Sequence, residues 1–151
     1  MTQNKEIPAI FQSVQNQTMN DVDALSKGAE DVITRLRDEY VRATEDNIGS
    51  LERLLNDIPA MDPINQERVL KEEFFRMAHD IKGQGSTFGY PLLTDLGSDI
   101  CERIRNRSTW TNDDFAVFKQ DIVDMKYVLS LPPDSENDNL KNIAERLKEG
   151  K

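Results

Sequence analysis

Apolar residues recur three and four positions apart in segment after segment of this chain, and Pro59, Pro63, Pro91 and the pair Pro132-Pro133 stand where the rhythm stops. Steps of three and four place side chains on one face of an α-helix, which turns about 100° per residue. Proline lacks the amide donor and clashes with the preceding turn, so it ends a helix or sits in its first turn. No stretch alternates as a half-buried strand would, and no segment repeats. The fold class expected is all-α.

The periodicity divides the chain. A long helix from about Glu30 carries Val32, Leu36, Tyr40, Ala43, Ile48, Leu51, Leu54, Leu55 and Ile58 on its inner face. A second starts near Pro63 or Asn65 and ends between Gly85 and Gly89. Its buried side gathers Leu70, Phe74, Met77, Ala78, Ile81, Gly85 and Phe88. A third opens at Pro91 and buries Leu93, Leu96, Ile100 and Ile104. Its early Asp95 and late Arg103, Arg105 and Arg107 suit the helix dipole. A fourth opens on Thr111-Asn112-Asp113-Asp114, a capping box with Asp in place of Glu, and Trp110 before the cap can pack on Phe115 as a staple. Phe115, Phe118, Ile122, Met125 and Leu129 make its inner stripe, which ends at Leu131. Short loops impose antiparallel neighbours. The expectation is an antiparallel four-helix bundle over residues 30–131, with additional helical segments at both ends. Residues 1–29 read as an arm with a short helical turn through Val22 and Leu25 that Gly28 interrupts. Residues 132–151 read as a polar linker and a short amphipathic helix through Leu140, Ile143, Ala144 and Leu147, able to pack on the bundle, pair with another chain or fray.

Composition removes several functions. The 151 residues carry a net charge of −9, which disfavours nucleic acid and anionic membrane as partners. No apolar run approaches the length of a membrane span, and the first residues lack the basic start and apolar core of a secretion signal. One histidine and one cysteine exclude an internal disulfide and histidine- or cysteine-built metal sites, and make hydrolytic triads improbable. These features fit a cytoplasmic protein with no metal of its own.

The single histidine lies in Ala78-His79-Asp80-Ile81-Lys82-Gly83-Gln84-Gly85-Ser86-Thr87-Phe88-Gly89. Helical geometry turns His79 away from the apolar face, beside Phe75, Lys82, Gly83 and Ser86. A neutral imidazole nitrogen is a nucleophile able to carry a phosphoryl group. Lys82 can offset the charge that such a group brings, and Gly83 removes the side chain that would crowd the outer nitrogen. Phe75, an aromatic on the outer face, reads as a docking contact, with a second-rank core position as the alternative. The glycine-rich run is no phosphate loop, because it lacks the Gly-Lys-Ser/Thr ending and a preceding strand.

His79-x-x-Lys82-Gly83 with Gly89 ten positions after the histidine resembles the signature of histidine-containing phosphotransfer (HPt) domains, and the run is similar also to the phosphoacceptor domain of chemotaxis histidine kinases. The resemblance implies a four-helix bundle that carries phosphohistidine in two-component signalling. It implies that His79 is the phosphoacceptor, that Lys82 steadies the phosphoryl group and that Gly83 permits access, with Phe75 and Ser86 on the docking face. Many members place a Gln or Glu on the next helix to hydrogen-bond the histidine; here that place falls near Cys101, with Asp99 and Glu102 adjacent, and the orienting group stays open.

The function expected is that of a phosphotransfer protein in a multistep His–Asp phosphorelay, passing a phosphoryl group between receiver-domain aspartates. The partners implied are response-regulator receiver domains and a hybrid or separate sensor histidine kinase. The receiver would supply Mg2+, and this chain no cofactor. With no recognisable nucleotide-binding segment the protein is expected to be a carrier rather than an enzyme. A related reading has His79 accept phosphate directly from a separate kinase domain. A reading of another kind is a helical adaptor that binds a signalling partner without phosphate chemistry.

Overall fold

The computed structural model describes residues 9–150, with side chains from Asn20 onward. All regular structure among the described residues is helical. Helix α1 spans Ala9–Asp57 and ends in a 3-10 turn, Ile58–Ala60. Helix α2 (Pro63–Val69) passes through a π-helical turn, Leu70–Phe74, into α3 (Phe75–Gln84), followed by a 3-10 turn, Ser86–Phe88. Helices α4 (Pro91–Arg105), α5 (Asn112–Ser130) and α6 (Asp138–Glu149) complete the chain. Among the described residues no helix is long and apolar enough to cross a membrane.

The chain divides between Glu39 and Tyr40 into two units. Among the described residues the first contains the leading part of α1 alone, whose side chains from Asn20 to Leu36 are all exposed. Gly28 does not interrupt this helix, contrary to expectation. A glycine inside a helix costs about 1 kcal/mol, but it ends one only where its φ turns positive after the last turn, and Gly28 keeps a negative φ. Val32 and Leu36, expected in the core, are exposed. The first eight residues of the expected arm, and the side chains of residues 9–19, Phe11 among them, lie outside what is described.

The second unit holds the core. There α1 buries Tyr40, Thr44, Ile48, Leu51 and Leu55. The stripe runs through Thr44 rather than Ala43, which is exposed. Asp62 caps α2 by accepting the Asn65 amide hydrogen at 2.9 Å. Helix α4 is the central element. It packs on α3, α5 and α6, and both its Leu93–Ile100 edge and Cys101 are buried. The Phe74 and Phe118 rings meet across the core with centroids 5.4 Å apart, and Lys126 on α5 ion-pairs with Glu52 on α1.

Helix α5 begins with the expected capping box: Thr111 and Asp114 exchange hydrogen bonds, the Thr111 amide donating at 2.8 Å. Asp114 also receives Arg103 at 3.1 Å and Arg107 at 2.6 Å, which ties the end of α4 to the start of α5. Burial pushes the Asp114 carboxyl up, but the Thr111 amide and the two arginines together hold it below the usual carboxylate range. Trp110 is buried beside this corner.

Of the three fates open to the tail, packing is the one found. Asn137 caps α6 through the Leu140 amide at 2.8 Å, and Ile143 and Leu147 are buried. Arg146 reaches Asp121 at 2.8 Å and Asp124 at 2.7 Å on α5. Asp121 is fully buried, and Asp99 of α4 faces it. Burial and the nearby Asp99 carboxylate push the Asp121 carboxyl up to about 9, against the pull of Arg146. A carboxyl that keeps its proton at neutral pH can donate to its neighbour. Asp121 Oδ2 is buried and has no hydrogen-bond partner among the described residues.

The sign of the linkage follows. Between the ordinary aspartate pKa near 4 and about 9, the folded chain keeps a proton that the unfolded chain has released. This group's contribution to stability is therefore complete at low pH and declines as pH rises through that window, by at most about 1.4 kcal/mol per pH unit. Urea unfolding between pH 5 and 9 should show the decline, and Asp121→Asn, which keeps a donor toward Asp99, should flatten it.

Candidate functional site

The expected site lies on α3 and the turns around it. The buried face is Leu70, Phe74, Ala78, Ile81 and Gly85, as the spacing predicts. The π-helical turn Leu70–Phe74 immediately precedes the turn that bears Phe75 and His79; such insertions are frequent at functional positions. His79 and Gly83 are exposed, and Lys82 is half-buried. Phe75 is half-buried as well, rather than free on the outer face. Its ring stacks on the imidazole, centroids 6.1 Å apart and planes 21° from parallel. The Arg105 guanidinium of α4 lies over the same phenyl ring at 5.4 Å. Arg105, Phe75 and His79 thus form one continuous stack across α4 and α3.

The three glycines of the motif differ in kind. A Cβ on Gly85 would fall 2.7 Å from Thr94 Oγ1 and 2.8 Å from the Tyr90 carbonyl oxygen, so α3 ends where it does because the chain closes on itself there. Gly89 has φ of +92° and lies under Pro133, with the Asp134 amide donating to its carbonyl at 2.8 Å. A Cβ on Gly83 would meet nothing within 4 Å. The fold itself does not require that glycine, which leaves one side of His79 open to solvent.

Lys82 is held from below. A Cβ on Gly97 of α4 would lie 2.8 Å from Lys82 Cβ and 2.9 Å from the Ala78 carbonyl oxygen. The lysine stem therefore rests on bare α4 backbone. Thr94, one turn earlier, donates its hydroxyl hydrogen to the Lys82 carbonyl at 3.0 Å and accepts the Ser86 amide hydrogen at 3.2 Å. Ser86, expected on the docking face, is exposed and has its hydroxyl engaged with Thr94 at 3.3 Å. Neither Lys82 nor Arg105 ion-pairs with a carboxylate among the described residues; Lys82 stands one helical turn from His79, and Arg105 lies on the Phe75 ring.

None of the three candidates to orient the histidine does so. Cys101 is buried, its Sγ 3.9 Å from the Phe75 carbonyl oxygen. Burial pushes its thiol up, opposed by Lys82 and Arg105. Asp99 faces Asp121 in the acidic cluster, and Glu102 lines a polar groove with Arg103, Asn106 and Arg107. The imidazole has no hydrogen-bond partner among the described residues, where Phe75 stacks on it. Gly97, Thr94 and Arg105 went unread as site residues. Gly97 was visible as a glycine inside an apolar stripe, whereas the contacts of Thr94 and Arg105 depend on how α3 and α4 cross.

An exposed imidazole backed by an aromatic ring, open on one side and with a lysine one turn on, suits transient attachment of an anionic group delivered by another macromolecule. The adjoining surface is a shallow groove formed by Lys71, Phe75, Ile104 and Arg105. No group of three or more His, Cys, Asp or Glu among the described residues is placed to hold a metal ion. Comparison with family models, curated proteins and solved structures finds no match for the chain.

The glycines separate local stability from access. Gly83→Ala should raise stability by about 0.5–1 kcal/mol, the helix-propensity gain at an open position. Gly97→Ala should lower it, because its Cβ meets α3 backbone. Thermal unfolding of the two variants checks both signs.

Proposed function

We propose that this chain is a histidine phosphotransfer protein of a multistep His–Asp phosphorelay, with His79 as the phosphoacceptor. The observation that carries the reading is the exposed imidazole beside a helical glycine that the fold does not need, with Lys82 one turn on. In this reading the part of α1 from Tyr40, the α2–α3 segment, α4 and α5 are the antiparallel four-helix bundle of an HPt domain. The leading part of α1 and α6 are additions to it. The partners are response-regulator receiver domains and a hybrid or separate sensor histidine kinase, in the cytoplasm.

The chemistry follows from the residues. A receiver aspartyl phosphate approaches over Gly83. The unprotonated outer nitrogen of His79 forms a bond to phosphorus as the aspartyl oxygen–phosphorus bond breaks, and the aspartate leaves as a carboxylate. The reverse step, to a second receiver, uses the same geometry. Lys82 offsets charge on the phosphoryl oxygens, and Phe75 backs the ring, so the chain contributes position and electrostatics. The receiver brings Mg2+, and this chain acts as a carrier without its own nucleotide site.

The test is transfer from a labelled phospho-receiver to this protein. Acid-labile, base-stable label is expected on the parent chain and none on His79→Ala. Lys82→Ala should slow transfer roughly 10–100-fold, since a charge-assisted contact is worth about 1.5–3 kcal/mol. Gly83→Gln should block transfer while leaving the fold intact. Receiver binding that survives His79→Ala, with no label on the parent from any receiver or kinase of the same cell, would replace this reading with a helical adaptor.

A further inference from the structure

The leading part of α1 carries an apolar face that nothing among the described residues covers. Val22, Leu25, Ala29, Val32 and Leu36 follow one another at steps of four or three in strict alternation. That spacing averages 3.5 residues and defines a straight seam for a second helix, rather than the broader face of a helix laid on a globular core. Every one of these side chains is exposed, Leu25 to 74% and Val22 to 53%. Ile33, at 52%, flanks the seam. A helix of this composition that buries nothing is marginal in water, so the stripe calls for a partner.

We propose that this stripe pairs with the same stripe of a second copy of the chain, the two helices antiparallel. The residue sizes favour this occupant and this direction. Antiparallel pairing sets Leu25 against Leu36 of the other copy, Ala29 against its Val32 and Val22 against its Glu39, so that the small Ala29 always meets a larger side chain. Parallel pairing would stack Ala29 on Ala29, leaving a gap, and Glu39 on Glu39 at the next seam position. Charge favours the same direction. Asp21 flanks the stripe at one end, and Arg35, two heptads on, flanks the same side at the other. Antiparallel copies bring these opposite ends together, whereas parallel copies bring Asp21 to Asp21. Gly28 lies beside the seam near its middle, and a Cβ there would meet nothing within 4 Å. No contact inside the chain requires this glycine; a second helix closing on the small pair Gly28-Ala29 gives it a use. The seam covers little more than two heptads, so the dimer belongs to the small, reversible class of interfaces.

The full chain, followed by sedimentation equilibrium from about 1 to about 500 μM, the range over which a micromolar dimer forms, should rise from 17.3 kDa toward twice that mass. The double variant Leu25→Asp/Leu36→Asp should stay at the single-chain mass throughout, with its thermal unfolding midpoint unchanged. Direction is read by oxidative cross-linking in a Cys101→Ser background. A mixture of Leu25→Cys and Leu36→Cys chains should form the mixed disulfide, and Leu25→Cys alone should form little. A parent chain that remains monomeric at every concentration overturns the proposal. So does a dimer that survives the double aspartate change, or a mass that settles above two chains. Self-linking of Leu25→Cys without mixed product overturns the antiparallel arrangement. None of these outcomes depends on phosphoryl transfer to His79.

Discussion

The contact on which the site depends is the near-touch of α3 and α4 backbones at Gly97. A side chain there would drive into Lys82 Cβ and the Ala78 carbonyl oxygen. With none present, α4 lies directly against the helix that bears the imidazole. Thr94 fastens the same seam one turn earlier by bridging the Lys82 carbonyl and the Ser86 amide. Because the helices meet so closely, Arg105 at the far end of α4 arrives over Phe75, and Phe75 is pinned under the histidine. The imidazole is therefore positioned from beneath, by apolar stacking and backbone packing, while its polar edge stays free.

The opposite side of α4 is governed by charge. Asp99, Asp121, Asp124 and Arg146 draw three helices together in a place where carboxylates outnumber the cation. Such an arrangement persists only if one carboxylate is neutral, since two like charges at close range in a poorly solvated site repel strongly. The raised pKa of Asp121, about 9, meets that need. Asp114 resolves the same difficulty differently, with two arginines and a backbone amide around one carboxylate. The core thus contains one acid kept neutral by its neighbours and another kept charged by them.

Much of this was legible in the sequence and some of it was not. The helix-ending prolines, the Thr111–Asp114 box and the apolar stripes of α3, α4 and α5 rest on local chemistry, and they appear where that chemistry puts them. Gly28 was misjudged because a glycine raises the cost of a helix without dictating its end. The long α1 stripe was read as a single buried face, although its first half and its second half face different fates. A seam with 3.5-residue spacing and a core face with 3.6-residue spacing look alike over two turns and diverge only over longer stretches. At the site, His79, Lys82 and Gly83 follow from their own helix. The roles of Gly97, Thr94 and Arg105 arise from how two helices cross, and a linear pattern carries no record of that angle. The acidic cluster is likewise a meeting of three segments far apart in the chain.

Gly83 and Gly28 sit in helices with empty space where a side chain would go, and each leaves its own fold weaker than alanine would. A sequence drifting under the demands of folding alone would shed such residues, because nearly any replacement holds a helix better. In the two readings proposed above, each of these openings leaves room for another macromolecule, a receiver at Gly83 and a second copy at Gly28. Under those readings, these are the two positions where room for an incoming surface outweighs the stability of the helix that provides it.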